Sequence, residues 1–147
     1  MKLSTKMRYG TRAMLDLALR QSSEPISLKE VAERQNVSQR YLAQLMTSLQ
    51  AAGLVRAVRG AKGGYELASP PEEITLRQIF EVLEGSEGFV DCTTYPGLCD
   101  KFDVCATQEI WARMYASCMQ ILEETSLADL ARRVREKQAA SAAMYHI

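Results

Sequence analysis

The residues best suited to chemistry in this sequence are its cysteines. Cys92, Cys99 and Cys105 lie in the stretch DCTTYPGLCDKFDVC with the spacing C-x6-C-x5-C, and Cys118 is the fourth cysteine. Zinc sites usually combine C-x2-4-C pairs with histidine, whereas the single histidine here is His146, near the end of the sequence. The thiols therefore suit an iron–sulfur cluster or reversible oxidation, and three so close together disfavour inert cysteines. For Cys118, a buried structural role on a helix is favoured.

The hydropathy pattern predicts a cytoplasmic protein with no membrane contact. The stretch MKLSTKMRYGTRAML alternates charged and apolar residues and has no continuous apolar core, so it does not fit a signal peptide. No apolar run approaches the roughly 18 residues of a transmembrane helix. A reducing compartment disfavours structural disulfides and favours metal or redox chemistry for the thiols.

The net charge of zero conceals an asymmetry between the two halves. Residues 1–65 hold eleven Lys or Arg against four Asp or Glu, a net of +7, and residues 66–147 hold seven against fourteen, a net of −7. A basic half of this kind indicates a polyanionic partner. An enzyme is not predicted, because no nucleophile motif stands out and the only histidine lies in the tail.

Capping residues and helical periodicity predict a winged helix-turn-helix. A helix is expected over 3–20; Ser27 and Glu30 form a capping box for the second, and the third runs from Ser38 to Gly53. LVRAV and GYELA predict two short strands joined by a glycine-rich basic turn. The predicted fold is mainly α with a small β-wing.

This fold positions the third helix and the wing for double-stranded DNA. Gln pairs with adenine, Arg with guanine or phosphate, and Ser or Tyr hydroxyls with phosphate. A basic wing tip can enter a narrow minor groove. The predicted DNA-binding residues are Ser38, Gln39, Arg40, Tyr41, Gln44, Arg56, Arg59, Gly60 and Lys62.

Three further helices are predicted beyond the wing. Thr75 and Gln78 form a capping box for the first, a long helix covers about 104–123, and Ser126 caps the last. The long helix has an apolar stripe of Ile110, Met114, Cys118, Ile121 and Leu122, with Trp111 beside it. Because such a stripe needs a partner, we expect a homodimer that binds two-fold-related DNA.

The segments MKLSTKMRYGTRAMLDLAL and RGAKGGYELA, together with three cysteines before a long helix, resemble the IscR-type family of iron–sulfur-cluster transcriptional regulators, which includes the NsrR and CymR relatives. The likeness runs from residue 2 to about residue 135. It implies a homodimeric winged-helix regulator whose cluster, [2Fe–2S] in preference to [4Fe–4S], reports iron, redox or nitric oxide status. Control of cluster-assembly genes is the expected function.

The resemblance also implies site residues. It makes Cys92, Cys99 and Cys105 the cluster ligands, and Arg59 with Gly60 the wing contact to DNA. The fourth ligand departs from the family pattern, since Gln108 stands where IscR has histidine, and Arg8 where nitric-oxide-sensing relatives have aspartate. Glu109, Gln108, Cys118, solvent or a small thiol stay open for that role.

The implied domain boundaries follow from these segments. Residues 1–85 would form the winged helix-turn-helix domain, 86–106 the cluster-binding loop, 107–137 the dimerisation helix with a short C-terminal helix, and 138–147 a flexible tail. Two alternatives stay open: a cluster-free regulator of cysteine metabolism that responds through a partner protein, and a thiol redox or cluster-carrier protein.

Overall fold

The computed structural model describes residues 3–21 and 24–145. Within these ranges the helices are α1 Thr5–Leu19, α2 Leu28–Gln35, α3 Gln39–Ala51, α4 Leu76–Leu83, α5 Asp91–Thr94, α6 Ala106–Glu123 and α7 Leu127–Met144. Strands β1 Val55–Val58 and β2 Gly64–Leu67 form an antiparallel hairpin. Short 3-10 turns occupy Pro71–Glu73, Pro96–Leu98 and Phe102–Val104. The prediction of a mainly α fold with a small β-wing is confirmed.

Side-chain caps fix where most of the longer helices begin. Ser27 caps α2, Thr75 caps α4 and Ser126 caps α7, each in a reciprocal capping box with the third helical residue. The Ser38 hydroxyl accepts a hydrogen bond from the Tyr41 backbone N–H at 3.2 Å and so starts α3. These bonds satisfy N–H groups that a helix start leaves without partners.

Helix α1 is the element around which the others pack. It contacts α2, α3, α4, α7 and β2, and its side chains Met14 and Leu17 are fully buried. Gly10 allows α4 to approach closely, because a Cβ atom there would run into the side chain of Leu83. The Ser4 backbone N–H also donates to the Glu84 carboxylate at 3.1 Å, which fixes the end of α4 beside the start of α1.

A buried carboxylate joins α1 to α2. The Asp16 side chain is only 5% exposed, and Nη2 of Arg34 lies 2.6 Å from its Oδ2 atom. Arg34 Nε is 3.1 Å from both carboxylate oxygens, and the Gln35 amide donates to Oδ1 at 3.3 Å. This bidentate arrangement fixes the angle between the two helices.

The junction between α6 and α7 is attached to the start of α4. The Leu76 N–H donates to the Thr125 carbonyl and the Leu127 N–H donates to the Ile74 carbonyl, both at 2.9 Å. The two C-terminal helices therefore return to the N-terminal core, where α6 packs on α4 and α7 on α1.

Two predictions about the C-terminal half need correction. Helix α6 begins at Ala106 and not near residue 104, because Phe102–Val104 forms a 3-10 turn. Helix α7 continues to Met144, so the expected tail from residue 138 is helical up to that residue. The alanine-rich stretch AASAAM has high helix propensity, which explains the extension. His146 lies outside the described residues. In the part that is described, no helix is long and apolar enough to span a membrane.

We predict that Arg34→Ala lowers the free energy of unfolding by about 3 kcal/mol, because it leaves the buried Asp16 charge without its main partner. Lys29→Ala is the matched control on the same helix, since Lys29 and Glu33 form an exposed pair with 3.9 Å between Nζ and Oε1. That change should cost less than about 0.5 kcal/mol. Urea denaturation measures both, and equal losses would contradict the structural role of Arg34.

Candidate nucleic-acid interface and cysteine segment

Helix α3 presents a polar face next to its capped N-terminus. Gln39, Arg40 and Gln44 are exposed, while the apolar face of the same helix is buried through Leu42, Leu45, Met46 and Leu49. The buried side holds the helix on the core, so the exposed side can lie in a DNA major groove.

Tyr41 has a packing role that the sequence did not reveal. Its ring is half-buried and lies edge-on to Tyr9 of α1, with ring centroids 6.3 Å apart and an interplanar angle of 88°. The contact fixes the first turn of α3 against α1. A phosphate contact by Tyr41 therefore depends on its hydroxyl group and not on a freely moving side chain.

Glycines shape the wing and its attachment. Gly64 lies so close to the segment before α2 that an added Cβ atom would collide with the Ile26 carbonyl. Ile26 and Tyr65 exchange backbone hydrogen bonds of 2.9 and 2.8 Å, which attaches the base of the wing to this segment. At the tip, Gly60 has a φ of 119°, a conformation that side chains rarely adopt.

The three basic residues of the wing differ in their surroundings. Arg56 faces Glu66 across the hairpin, with 3.2 Å between Nε and Oε1, and Lys62 lies 3.6 Å from a carboxylate oxygen of Glu24. Arg59 is exposed and forms no ion pair with any residue in 3–21 or 24–145. Its charge is therefore the most available to DNA. The DNA contacts of the wing and of α3 stay predictions.

The cysteine segment, residues 86–105, connects α4 to α6. Gly85, with a φ of 93°, turns the chain out of α4. The Gly88 N–H donates to the Thr94 hydroxyl at 2.7 Å, and the Thr93 hydroxyl donates to the Val90 carbonyl at the same distance. These bonds fold the first part of the segment around the short helix α5, which contains Cys92.

All three cysteines of this segment are half-buried free thiols. Cys105 occupies the N-cap position of α6, and its sulfur lies 3.2 Å from the Thr107 hydroxyl. That hydrogen bond, followed by the backbone N–H of Gln108, lowers the pKa of the Cys105 thiol below its usual value. The partial positive charge at the N-terminus of α6 also stabilises a thiolate at this position.

The thiols do not converge on a single metal-ion position. Among residues 3–21 and 24–145, no group of three or more His, Cys, Asp and Glu side chains could hold one metal ion. An iron–sulfur cluster distributes its ligands over several iron atoms, so they need not meet at one point, and free thiols are the donors that it requires. The donor chemistry of Cys92, Cys99 and Cys105 therefore fits a cluster.

The candidates for a fourth ligand lie in different places. Gln108 is half-buried and Glu109 exposed, both in the first turn of α6. Cys118 was expected to be buried, but it is only half-buried. It lines a groove of about 550 Å³ together with Phe80, Phe89 and Leu122. In the part of the chain that is described, neither Glu109 nor Cys118 belongs to a group of three or more His, Cys, Asp and Glu side chains that could hold a metal ion.

Two aromatic residues that hold the cysteine segment on α6 were missed in the sequence. The rings of Phe89 and Tyr115 meet edge-on at a centroid distance of 5.4 Å. The Tyr115 hydroxyl donates to the Ser86 carbonyl at 3.0 Å. Tyr115 lies more than 25 residues from Phe89 and Ser86 along the chain, so no local sequence pattern predicts these contacts. They arise only because the cysteine segment packs on α6.

A capped polar helix, a basic hairpin beside it and a mainly helical core define the class of winged-helix DNA-binding regulators. The sequence matches the Rrf2 family, described as an iron-dependent transcriptional regulator, over residues 3–133. This chain therefore belongs to the Rrf2 family, and the resemblance to IscR-type regulators is confirmed.

Individual relatives cover nearly the whole chain. Protein Rrf2 of Nitratidesulfovibrio vulgaris is 39% identical over 132 residues, which are 90% of this chain and 88% of that protein. The structure of CymR, the global cysteine regulator of B. subtilis, matches with a TM-score of 0.77 and 40% identity over 90% of this chain and 98% of its own. The structure of T. potens IscR matches with a TM-score of 0.78 and 40% identity over 94% of this chain and 91% of its own.

The names of the relatives bear on the predicted function. CymR and IscR proteins are named HTH-type transcriptional regulators. This protein is accordingly a helix-turn-helix transcriptional regulator, and the prediction that it is not an enzyme is confirmed.

We predict that Arg59→Ala weakens DNA binding and reduces the slope of log K against log salt concentration by about one per chain, since one phosphate-neutralising charge is lost. Fluorescence anisotropy with labelled duplex DNA across a salt titration measures this slope. Arg133→Ala, which removes an exposed charge from α7, should leave it unchanged. An unaltered slope and affinity for Arg59→Ala would remove this residue from the interface.

Proposed function

We propose that this Rrf2-family regulator binds two-fold-related duplex DNA as a homodimer, and that an iron–sulfur cluster on Cys92, Cys99 and Cys105 modulates the binding. The observation that carries the proposal is the group of three free, half-buried thiols between α4 and α6. A [2Fe–2S] cluster is preferred over [4Fe–4S]. Cluster-assembly genes are the proposed targets, as expected for an IscR-like regulator.

A cluster bound at these thiols supplies a group that responds to oxygen, nitric oxide and iron supply. Cys92, Cys99 and Cys105 would hold it, with the fourth ligand taken from Gln108, Glu109, Cys118, solvent or a small thiol. Cys105 is the best prepared of the three, because its hydrogen bond to Thr107 and its place at the start of α6 favour the thiolate.

The cysteine segment is mechanically connected to the helices of the DNA-binding half. Phe89 and Tyr115 hold the segment on α6. Arg77 of α4 contacts Glu81 of its own helix at 2.8 Å and Glu123 of α6 at 3.8 Å, between Nε and carboxylate oxygens. Helix α4 in turn packs against α1 and α3. A rearrangement of the segment would therefore move α6 and α4. It would thereby change the orientation of the α3 helices, the recognition helices of the two protomers, toward DNA.

The alternative function is a cluster-free regulator of cysteine metabolism. It is supported by the similarity to CymR, the global cysteine regulator of B. subtilis. It is also supported by the absence of both expected fourth ligands, since Gln108 replaces the histidine of IscR and Arg8 replaces the aspartate of the nitric-oxide-sensing relatives. It leaves the three thiols of the cysteine segment without a role, which is why the cluster-binding function is preferred.

The outer face of α6 supports the homodimer. Ile110 is 47% exposed, Met114 41% and Ile121 64% in the single chain, with Trp111 beside them. The inner face of the helix is already used, since Met119 is buried and Tyr115 half-buried. An exposed apolar stripe along one long helix is best covered by the same stripe of a second copy, because a two-fold interface is self-complementary.

We predict that Met114→Glu converts the dimer to a monomer, because it places a charge in the apolar stripe. Ala116→Glu is the control, since Ala116 is exposed on another side of α6. Sedimentation-velocity measurements distinguish the two species. A dimer that tolerates Met114→Glu, or a wild-type monomer, would exclude this interface.

We predict that the wild-type protein, purified without oxygen, contains about two iron atoms and matching acid-labile sulfide per chain for [2Fe–2S], or about four for [4Fe–4S]. Cys92→Ala should remove iron, sulfide and visible absorption, while the control Ser117→Ala, at an exposed position of α6, keeps them. Far-ultraviolet circular dichroism checks that both variants remain folded. Colourless wild-type protein that also resists reconstitution would favour the cluster-free alternative, and Cys92→Ala protein with full iron and sulfide would exclude Cys92 as a ligand.

A further inference from the structure

We propose that Arg12 of α1 is an additional phosphate-binding residue of the DNA interface, held beside the first turn of recognition helix α3 by Gln35 and Tyr9. This inference rests on the duplex-binding function of the protein and does not depend on the cluster. It adds α1 to an interface that the sequence assigned only to α3 and the wing.

The guanidinium of Arg12 is fixed in place by neutral groups. Its Nε atom donates to the Gln35 side-chain oxygen at 3.0 Å, and Nη2 donates to the Gln35 backbone carbonyl at 3.3 Å. Its Cζ atom lies over the Tyr9 ring, 5.5 Å from the centroid. These contacts occupy two of the five N–H groups of the side chain and leave the others for an anion. An arginine fixed in this way loses little conformational freedom when it binds phosphate.

The charge of Arg12 is not compensated by a carboxylate. Asp16 lies one helical turn further along α1, but it is buried and bound by Arg34. Arg8, one turn before Arg12, is also exposed, and neither arginine forms an ion pair with a residue in the described ranges. Two like charges four residues apart destabilise a helix, so this pair on the surface points to an anionic partner.

The position of Arg12 relative to α3 favours DNA phosphate as that partner. Tyr9, which carries the Arg12 guanidinium on its ring, packs edge-on against Tyr41 in the first turn of α3. Gln35 is the last residue of α2, immediately before the turn that leads to Ser38. Residues that flank the start of a recognition helix contact the DNA backbone when that helix enters the major groove.

The test uses three variants of the full chain and a mixed-sequence duplex of about 30 base pairs, long enough for two half-sites one helical turn apart. Arg12→Gln removes the charge, Arg12→Lys keeps it without the planar fork, and Arg135→Gln removes an exposed charge from α7. Fluorescence anisotropy between about 50 and 200 mM salt gives the affinity and its salt dependence.

Arg12→Gln should weaken binding several-fold and reduce the salt slope by about one per chain. Arg12→Lys should keep the slope, and Arg135→Gln should match the wild type. Weaker binding by Arg12→Gln with an unchanged slope would mean that Arg12 only positions α1 and α2, which overturns the proposal. Unchanged binding would overturn it as well. Wild-type protein that binds no duplex at all would refute the DNA-binding function itself.

A second measurement on the wild-type protein avoids any effect of substitution on folding. Phenylglyoxal modifies exposed arginines, and mass spectrometry of peptides gives the rate at each position. Duplex DNA should protect Arg12 and leave Arg135 reactive. Equal modification of Arg12 in the free and DNA-bound protein would exclude the phosphate contact.

Discussion

The buried ion pair between Asp16 and Arg34 sets the geometry on which the rest of the protein depends. It fixes α2 at one angle to α1, and α3 follows α2 after a short turn, so the recognition helix takes its direction from α1. The same helix α1 also packs against α4, α7 and β2. A charge removed from water in this way requires its partner, which makes the α1–α2 arrangement a discrete state and not one of several similar packings.

The C-terminal half packs on the same core. Backbone hydrogen bonds attach the α6–α7 junction to the segment before α4, while Ser4 and Gly10 bring the end of α4 against α1. The cysteine segment is held on α6 by Phe89 and Tyr115. The thiols and helix α3 therefore lie at two ends of one continuous series of contacts, which is what the proposed coupling between a cluster and DNA binding requires.

The distribution of ion pairs divides the basic half of the chain into two kinds of cation. Arg34 and Arg56 are engaged with carboxylates of the same chain, whereas Arg59 and Arg12 keep their charge uncompensated in the described residues. The net charge of the N-terminal half indicated a polyanionic partner, but it could not separate these groups. The uncompensated cations are the better prepared to exchange counterions for phosphate, because the others would first have to give up a negative partner.

The sequence by itself determined the features that depend on neighbouring residues. The caps at Ser27, Ser38 and Thr75 and the hairpin of the wing were predictable, because their hydrogen bonds join residues close along the chain. The tertiary structure decided contacts between distant residues, such as Phe89 with Tyr115, the half-buried position of Cys118 and the close approach of Leu83 to Gly10. Such contacts depend on how helices pack around α1, and packing is a property of the whole core that no local pattern contains.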